Sequence, residues 1–256
     1  MEGNFLHLHD KFTEDALYSL ILCPFEETTA YMRGTSLAPD AVVKESHNVE
    51  PYDYSLGVNA ASKGIETKRA KSMEELPSLY DGRFTVFLGG EHTLSLYSSE
   101  PFKELFVFDA HADMLNTYGS REIAHATWAR RAVEAGKSLT LYGIRSVSED
   151  EKDFIDGNGG ISILSSGQLS SIKSKELYLS VDVDVLDMAA MPCCSNPEPA
   201  GLMWNELYSS LELLFKNNNV LACDVVEHRP CKGREEFSYA VASLTYKLFC
   251  LKERYG

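Results

Sequence analysis

The sequence predicts a three-layer α/β/α sandwich on a mostly parallel sheet, and three observations predict it. Short apolar runs recur along the chain, several are apolar at both even and odd positions, and helical periodicity fills the stretches between them. A strand apolar on both parities has to be covered on both faces, which a parallel sheet between helices provides. Alternation of strand and helix produces such layers.

The predicted strands, in order, are LYSLILC (17–23), FTVFLGG (84–90), LFVFDA (105–110), LTLYGI (139–144), ISIL (161–164), LYLSVDVD (177–184) and VLACDVV (220–226). Among the helices, APDAVVKES follows a loop, HATWARRAVEAGK runs from His125 to near Gly136, and LMWNELYSSLELLFK spans 202–216. The last runs from about Glu235 to Leu251, where Phe237, Val241, Leu244, Leu248 and Leu251 form one stripe at 4-3-4-3 spacing. No linker, repeat or low-complexity tract interrupts the pattern, so residues 1–256 read as one domain. In open sheets of this kind ligands bind beyond the carboxyl ends of the strands.

A net charge of −14 argues against nucleic acid and anionic membrane as partners and suits a cationic ligand or metal ions. The six cysteines show no CxxC spacing and read as reduced thiols of a cytoplasmic protein. MEGNFLHLHDKF lacks the basic start and apolar run of a secretory leader, and no stretch approaches the roughly 18 apolar residues of a membrane helix.

Three clusters of charge sit at strand ends. FTVFLGGEH ends in Gly89 and Gly90, followed by Glu91 and His92; a lone histidine there is also an ordinary hydrogen-bonding group. LFVFDAHADM carries Asp109, His111 and Asp113 two apart, so an extended chain projects all three to one side. Carboxylates capping loops are the bland alternative, but three such groups crowd one another and resist desolvation. LYLSVDVDVLD repeats the spacing with Asp182 and Asp184, while Asp187 falls outside it and reads as a loop or helix cap. The two imidazoles and four carboxylates, with both histidines neutral, match two divalent cations. Oxygen-rich sites with some imidazole suit Mn²⁺. Two such ions about 3.5–4 Å apart lower the pKa of a bridging water.

GGEH (89–92), DAHAD (109–113) and SVDVDVLD (180–187), in this order, resemble the signatures of the ureohydrolase family, the arginases and agmatinases. CPFEETTAYMRGTSLAPDAV (23–42), YGIRS (142–146), NPEPAGL (196–202) and DVVEHRP (224–230) extend the likeness over nearly the whole chain. The resemblance implies the arginase-type sandwich, two Mn²⁺ ions, and a homo-oligomer, a trimer or hexamer. It implies that His92, Asp109, Asp113 and Asp184 hold one ion or bridge, with His111 and Asp182 on the second side. By the same likeness His125 exchanges a proton with the leaving amine, and Glu227 pairs with the substrate guanidinium. The bland alternatives are that His125 opens its helix and that Glu227 is a surface residue paired with Arg229 or Arg234. Asp113 takes or relays a proton.

The implied reaction cleaves a cationic guanidino small molecule to urea and an amine. MLNTYGSREIA, with the AHATWARR that follows, is closest to the agmatinase pattern, so agmatine, giving putrescine, is the first expectation, with N1-aminopropylagmatine and arginine behind it. Where the family has proline after Asp187 and a Gly-Thr-Gly-Thr run, this chain has Met188 and Cys193-Cys194-Ser195-Asn196. His228, beside Glu227, reads as a surface imidazole. A two-metal phosphoesterase, a non-catalytic metal-binding protein and a single-zinc deacetylase on a similar fold are the rival readings. The first needs cationic side chains for phosphate, and only Arg145 and Arg229 lie near the clusters.

Overall fold

A computed structural model describes residues 3–8, 15–29, 31–173 and 175–256. The opening stretch, read above as carrying no leader, lies partly outside them. Eight strands form one sheet: β1 (Tyr18–Cys23), β2 (Ile65–Arg69), β3 (Phe84–Gly89), β4 (Glu104–Phe108), β5 (Ser138–Tyr142), β6 (Ile161–Leu164), β7 (Glu176–Asp182) and β8 (Asn219–Val226). Their order is β2-β1-β3-β8-β7-β4-β5-β6, and every pairing is parallel. The helices are α1 (Ala38–Ser46), α2 (Leu76–Leu79), α3 (Leu94–Ser98), α4 (Trp128–Glu134), α5 (Glu149–Asp156), α6 (Trp204–Asn217) and α7 (Glu235–Tyr255).

Alternate residues of each central strand enter opposite cores. Leu20, Leu22, Val86, Leu88, Phe106, Phe108 and Val181 pack under α1, α6 and α7. Ile21, Phe87, Leu105, Val107 and Leu141 pack under α3 and α4, where Leu94 and Trp128 are fully buried. This is the expected three-layer α/β/α sandwich on a parallel sheet.

The two edges are the polar ones. β2, IETKR, escaped the sequence reading because a strand with one neighbour buries little, and its Lys68 and Arg69 keep the edge hydrated. α5 escaped it too: EDEKDFID is almost all polar, and its start is marked by a capping box between Ser148 and Glu151.

The central strands end at one rim. β4 stops at Phe108 rather than at Ala110, and β7 stops at Asp182, with Asp184 already in the 3-10 turn Val183–Val185. The charged residues therefore converge through curling loops rather than by strand alternation alone. Gly90 turns the chain after β3 so tightly that a Cβ there would lie 2.0 Å from the Phe25 carbonyl oxygen. Only glycine allows that approach.

Candidate active site

The three clusters meet at the carboxyl ends of β3, β4 and β7. His92 Nδ1 lies 3.2 Å from one carboxylate oxygen each of Asp109, Asp113 and Asp182. His111 Nδ1 lies 3.0 Å from Asp184 and 3.6 Å from Asp109. Ligand atoms of His92, Asp109 and Asp113 form one compact group, and those of Asp109, His111 and Asp184 form a second. Asp109 belongs to both: Oδ2 faces His92 and Oδ1 faces His111. The grouping differs from the expected one in a single respect. Asp182 stands with His92, while Asp184, two residues on and past the strand end, swings to His111.

Whether divalent cations suit these groups is decided by His92. Its Nδ1 is buried and makes no hydrogen bond. Its Nε2 lies 2.8 Å from the Ser180 hydroxyl, which itself donates to Asp224 Oδ1 at 2.6 Å. A hydroxyl has one proton, and the carboxylate takes it, so His92 carries its own proton on Nε2 and turns Nδ1 toward three carboxylate oxygens, where a proton or a metal cation can sit. That is a cation's donor set. Protonation behaviour agrees. Burial alone pulls His92 and His111 down, but the surrounding aspartates outweigh it, holding His92 well above the ordinary imidazole value and His111 at about 12. Burial, reinforced by the Asp184 and Asp109 charges, raises Asp182. The cleft binds positive charge.

A second layer fixes these groups. Asp224 Oδ2 accepts from Ser95 and from Tyr178 at 2.6 and 2.7 Å. The buried Trp128 indole donates to Asp113 Oδ2 at 3.0 Å and lies against His92, with ring centroids 4.7 Å apart. Glu151 closes the cap of α5 with one oxygen and accepts from Met114 N with the other, which ties down the loop after Asp113. Asn196 Nδ2 lies 2.9 Å from His111 Nε2. None of these was assigned from sequence. A signal existed for two: Ser180 shares the strand face of Asp182, and Asp224 is an acid inside an otherwise apolar strand.

Glu227 sits just past β8 and is only 4% exposed, so its reading as a surface partner of Arg229 or Arg234 falls; Arg234 pairs with Glu236 instead. Its carboxylate accepts from His92 N at 2.6 Å and from the Ser195 hydroxyl. Burial pushes its carboxyl up to about 8. Asp113 and Glu227 both adopt positive φ, +54° and +65°. Non-glycine residues held there cost about 1–3 kcal/mol each and cluster at functional sites.

His125 lies in the loop before α4, three residues short of its first turn, so the helix-dipole reading of its charge does not apply. The chain spends residues 125–127 on a turn, with Thr127 bonded to Glu122 O and Ala124 N. His125 lines a cavity of about 150 Å³ together with His111, Asp113, Asp182, Asp184, Ser195 and Glu227. Asp187 caps a turn through Ala189 N and Gly201 N, as read.

His228 is not a surface imidazole. It is 1% exposed, bridges the Cys193 carbonyl and the Ser238 hydroxyl, and burial holds its pKa down to about 4, so it adds no charge beside Glu227. The Cys194 thiol is pushed up by burial and by the neighbouring acids, which keeps it protonated and unsuited to ligation. All six cysteines are unpaired. Among the described residues no helix is long and apolar enough to cross a membrane.

An all-parallel sandwich whose strand ends gather aspartate and histidine into two adjoining groups that could hold metal ions defines a class, the α/β/α hydrolase-type fold. Within it the chain belongs to the arginase family, whose pattern matches residues 16–250. It is 29% identical to the N(1)-aminopropylagmatine ureohydrolase of Synechocystis sp. over 91% of this chain and 88% of that one. It is 30% identical to the agmatinase of Pyrococcus horikoshii over 94% of each. Among solved structures, the agmatine ureohydrolase of Thermoplasma volcanium superposes with a TM-score of 0.86 at 28% identity, covering 94% of this chain and 92% of that one.

Proposed function

We propose that this arginase-family ureohydrolase cleaves agmatine to putrescine and urea in the cytoplasm, with a binuclear manganese cofactor and Glu227 as the guanidinium anchor. The observation that carries the reading is the buried Glu227 carboxylate on the wall of the cavity that Asp113 and His125 also line. Burial holds the Glu227 carboxyl up to about 8, and an entering guanidinium would ionise it; the carboxylate then offers about four acceptor positions, of which the chain uses two, so a planar guanidinium finds the rest. His92, Asp109, Asp113, Asp182, His111 and Asp184 would hold the two ions, which supply Lewis-acid charge and activate water.

The chain's own groups account for the protons. Attack of water on the guanidinium carbon releases one proton, and the carbon–nitrogen bond breaks only if the departing amine nitrogen gains one. Asp113, on the cavity wall, accepts that proton and relays it to the departing nitrogen. Collapse of the tetrahedral intermediate to urea releases a second proton from its hydroxyl, which passes through His125 to the amine, so that urea and a protonated amine leave.

The lining favours a distal ammonium over a carboxylate, because among the described residues the cavity wall contains neither lysine nor arginine. That favours agmatine over arginine. N1-aminopropylagmatine has the same cationic character, and four of the similar relatives carry its name. The same lining disfavours a phosphate ester: Arg145 spends its guanidinium on the carbonyls of Gly143, Asp184, Val185, Leu186, Glu198 and Pro199.

Urea and amine release from agmatine, N1-aminopropylagmatine, arginine and guanidinobutyrate, measured side by side, tests the reading. Agmatine should show the highest kcat/KM, and Glu227→Gln should lower it about 10²-fold while ion content stays, since a hydrogen-bonded charge contact is lost. Phosphate release from a generic ester without urea from any guanidine would end the proposal.

A further inference from the structure

Glu91 and Thr28 lie beside the cleft and have no part in the ion or guanidinium sites. Glu91 is fully buried and has no cationic partner among the described residues. Its Oε2 accepts from the backbone nitrogens of Glu27, Thr28 and Thr29 at 2.8, 2.6 and 3.0 Å, and from the Thr29 hydroxyl at 3.2 Å. Its Oε1 receives the hydroxyls of Thr93 at 2.6 Å and Thr28 at 2.8 Å. Thr28 Oγ1 also lies 3.0 Å from His125 N and 2.9 Å from His125 Nδ1.

We propose that Glu91, acting through the Thr28 hydroxyl, fixes His125 in the tautomer that carries its proton on Nδ1 and leaves a bare Nε2 for the cleft. The assignment follows from counting protons. The Thr28 hydroxyl has one hydrogen and two lone pairs. Glu91 Oε1 only accepts, and a hydrogen bond to a carboxylate is roughly twice as strong as one to a neutral group, so the hydrogen goes there. The two lone pairs then receive His125 N–H and His125 Nδ1–H. Nε2 is left without a hydrogen-bond partner among the described residues, on a ring that lines the cavity.

This arrangement rests on the proposed role of His125 and deepens it. Because Thr28 accepts from Nδ1–H in the neutral ring and in the imidazolium alike, His125 gains and loses its proton at Nε2 with no rearrangement around it. Thr28 and Glu91 are positioning residues: neither lines the cavity that His125 faces.

The tautomer is read directly by two-bond ¹H–¹⁵N spectra of the full-length protein loaded with diamagnetic Mg²⁺, with the His125 signals assigned by their loss in His125→Ala. In the unaltered protein Nδ1 should appear protonated and Nε2 bare. Thr28→Ser should keep that pattern, and Thr28→Val should lose it. Glu91→Gln should reverse it: the three backbone N–H groups hold the amide oxygen at the Oε2 position, so the amide NH₂ points at Thr28 and turns the hydroxyl hydrogen onto His125 Nδ1. Retained Mg²⁺ content and melting temperature show that each variant is folded. A bare Nδ1 in the unaltered protein, or an unchanged tautomer in both folded Glu91→Gln and Thr28→Val, overturns the proposal. If the tautomer reverses as expected, kcat should fall about 10²-fold with KM little changed, the size of a lost general acid. A reversed tautomer with unchanged kcat would leave the relay standing and remove His125 from the reaction.

Discussion

The two sides of the ion cleft are held by different parts of the chain. On one side the His92 side chain is 1% exposed and is gripped from below by Ser180 and Asp224, residues of two central strands. On the other the His111 side chain is 18% exposed, and its far nitrogen meets Asn196, which belongs to a loop. The buried side is preorganised by the core, with the His92 ring aimed by Ser180 and its Nε2 proton fixed before any ion arrives. The open side is finished by the very segment, Cys193 to Asn196, in which this chain departs from the pattern it otherwise resembles. The lesson is that affinity is built into the sheet, while access and adjustment are left to a loop.

The largest expected effect comes from removing what the two sides share. Asp109→Ala leaves both groups one carboxylate short and His92 facing an uncompensated gap. Breaking a buried charge arrangement costs about 3–5 kcal/mol, so ion affinity should fall about 10²-fold or more at both positions. Ion content by mass spectrometry after gel filtration checks this, and two retained ions would show that the sides do not meet at Asp109. His111→Ala cuts less deeply. One ion should remain in the buried group and the weaker one should wash out. Loss of both would mean that the open side supports the buried one.

Removing the ions altogether sharpens the contrast through pH. The two histidines and Glu227 have folded pKa values above their ordinary ones, which are 6.5 for histidine and 4.5 for glutamate. Groups of that kind bind protons more tightly in the folded state, so their contribution is complete below the unfolded value and is lost as pH rises through the folded value. For Glu227 the window runs from 4.5 to about 8, and for His111 from 6.5 to about 12. In chelator, the melting temperature should therefore fall steadily as pH is raised from 5 to 9, and divalent ions should flatten the slope by standing in for the protons. A flat profile in chelator would contradict the cleft's appetite for positive charge.

Much of this cleft was legible in the sequence because its clustered aspartates and histidines follow strands whose burial is written in their own residues. Phe106, Val107 and Phe108 announce a core strand, and the acids beyond it have to be compensated. What stayed hidden depends on partners distant in sequence. Glu227 and His92 are 135 residues apart, and His125 and Thr28 are 97 apart, so neither pair leaves a local pattern. Trp128 lies within HATWARRAVEAGK, and nothing local says that its N–H reaches an aspartate 15 residues upstream. His228 misled for the opposite reason. Flanked by Glu227 and Arg229, it looks solvated, yet the antiparallel bridge between Cys194 and His228 folds a loop over it.

The smallest expected effect tests whether the buried side owes its geometry to side chains or to backbone. Trp128 donates to the same Asp113 oxygen that faces His92, while Asp113 is also held by its left-handed backbone and by the Glu151 bond to Met114 N. Trp128→Phe keeps a ring against His92 and removes only the donor. A hydrogen bond to a charged group contributes about 1.5–3 kcal/mol, part of which relaxation recovers, so calorimetric titration with Mn²⁺ should show about tenfold weaker binding with the melting temperature nearly unchanged. Unchanged affinity would mean that the strained backbone alone aims Asp113, and the indole would then be no more than packing over the cleft floor.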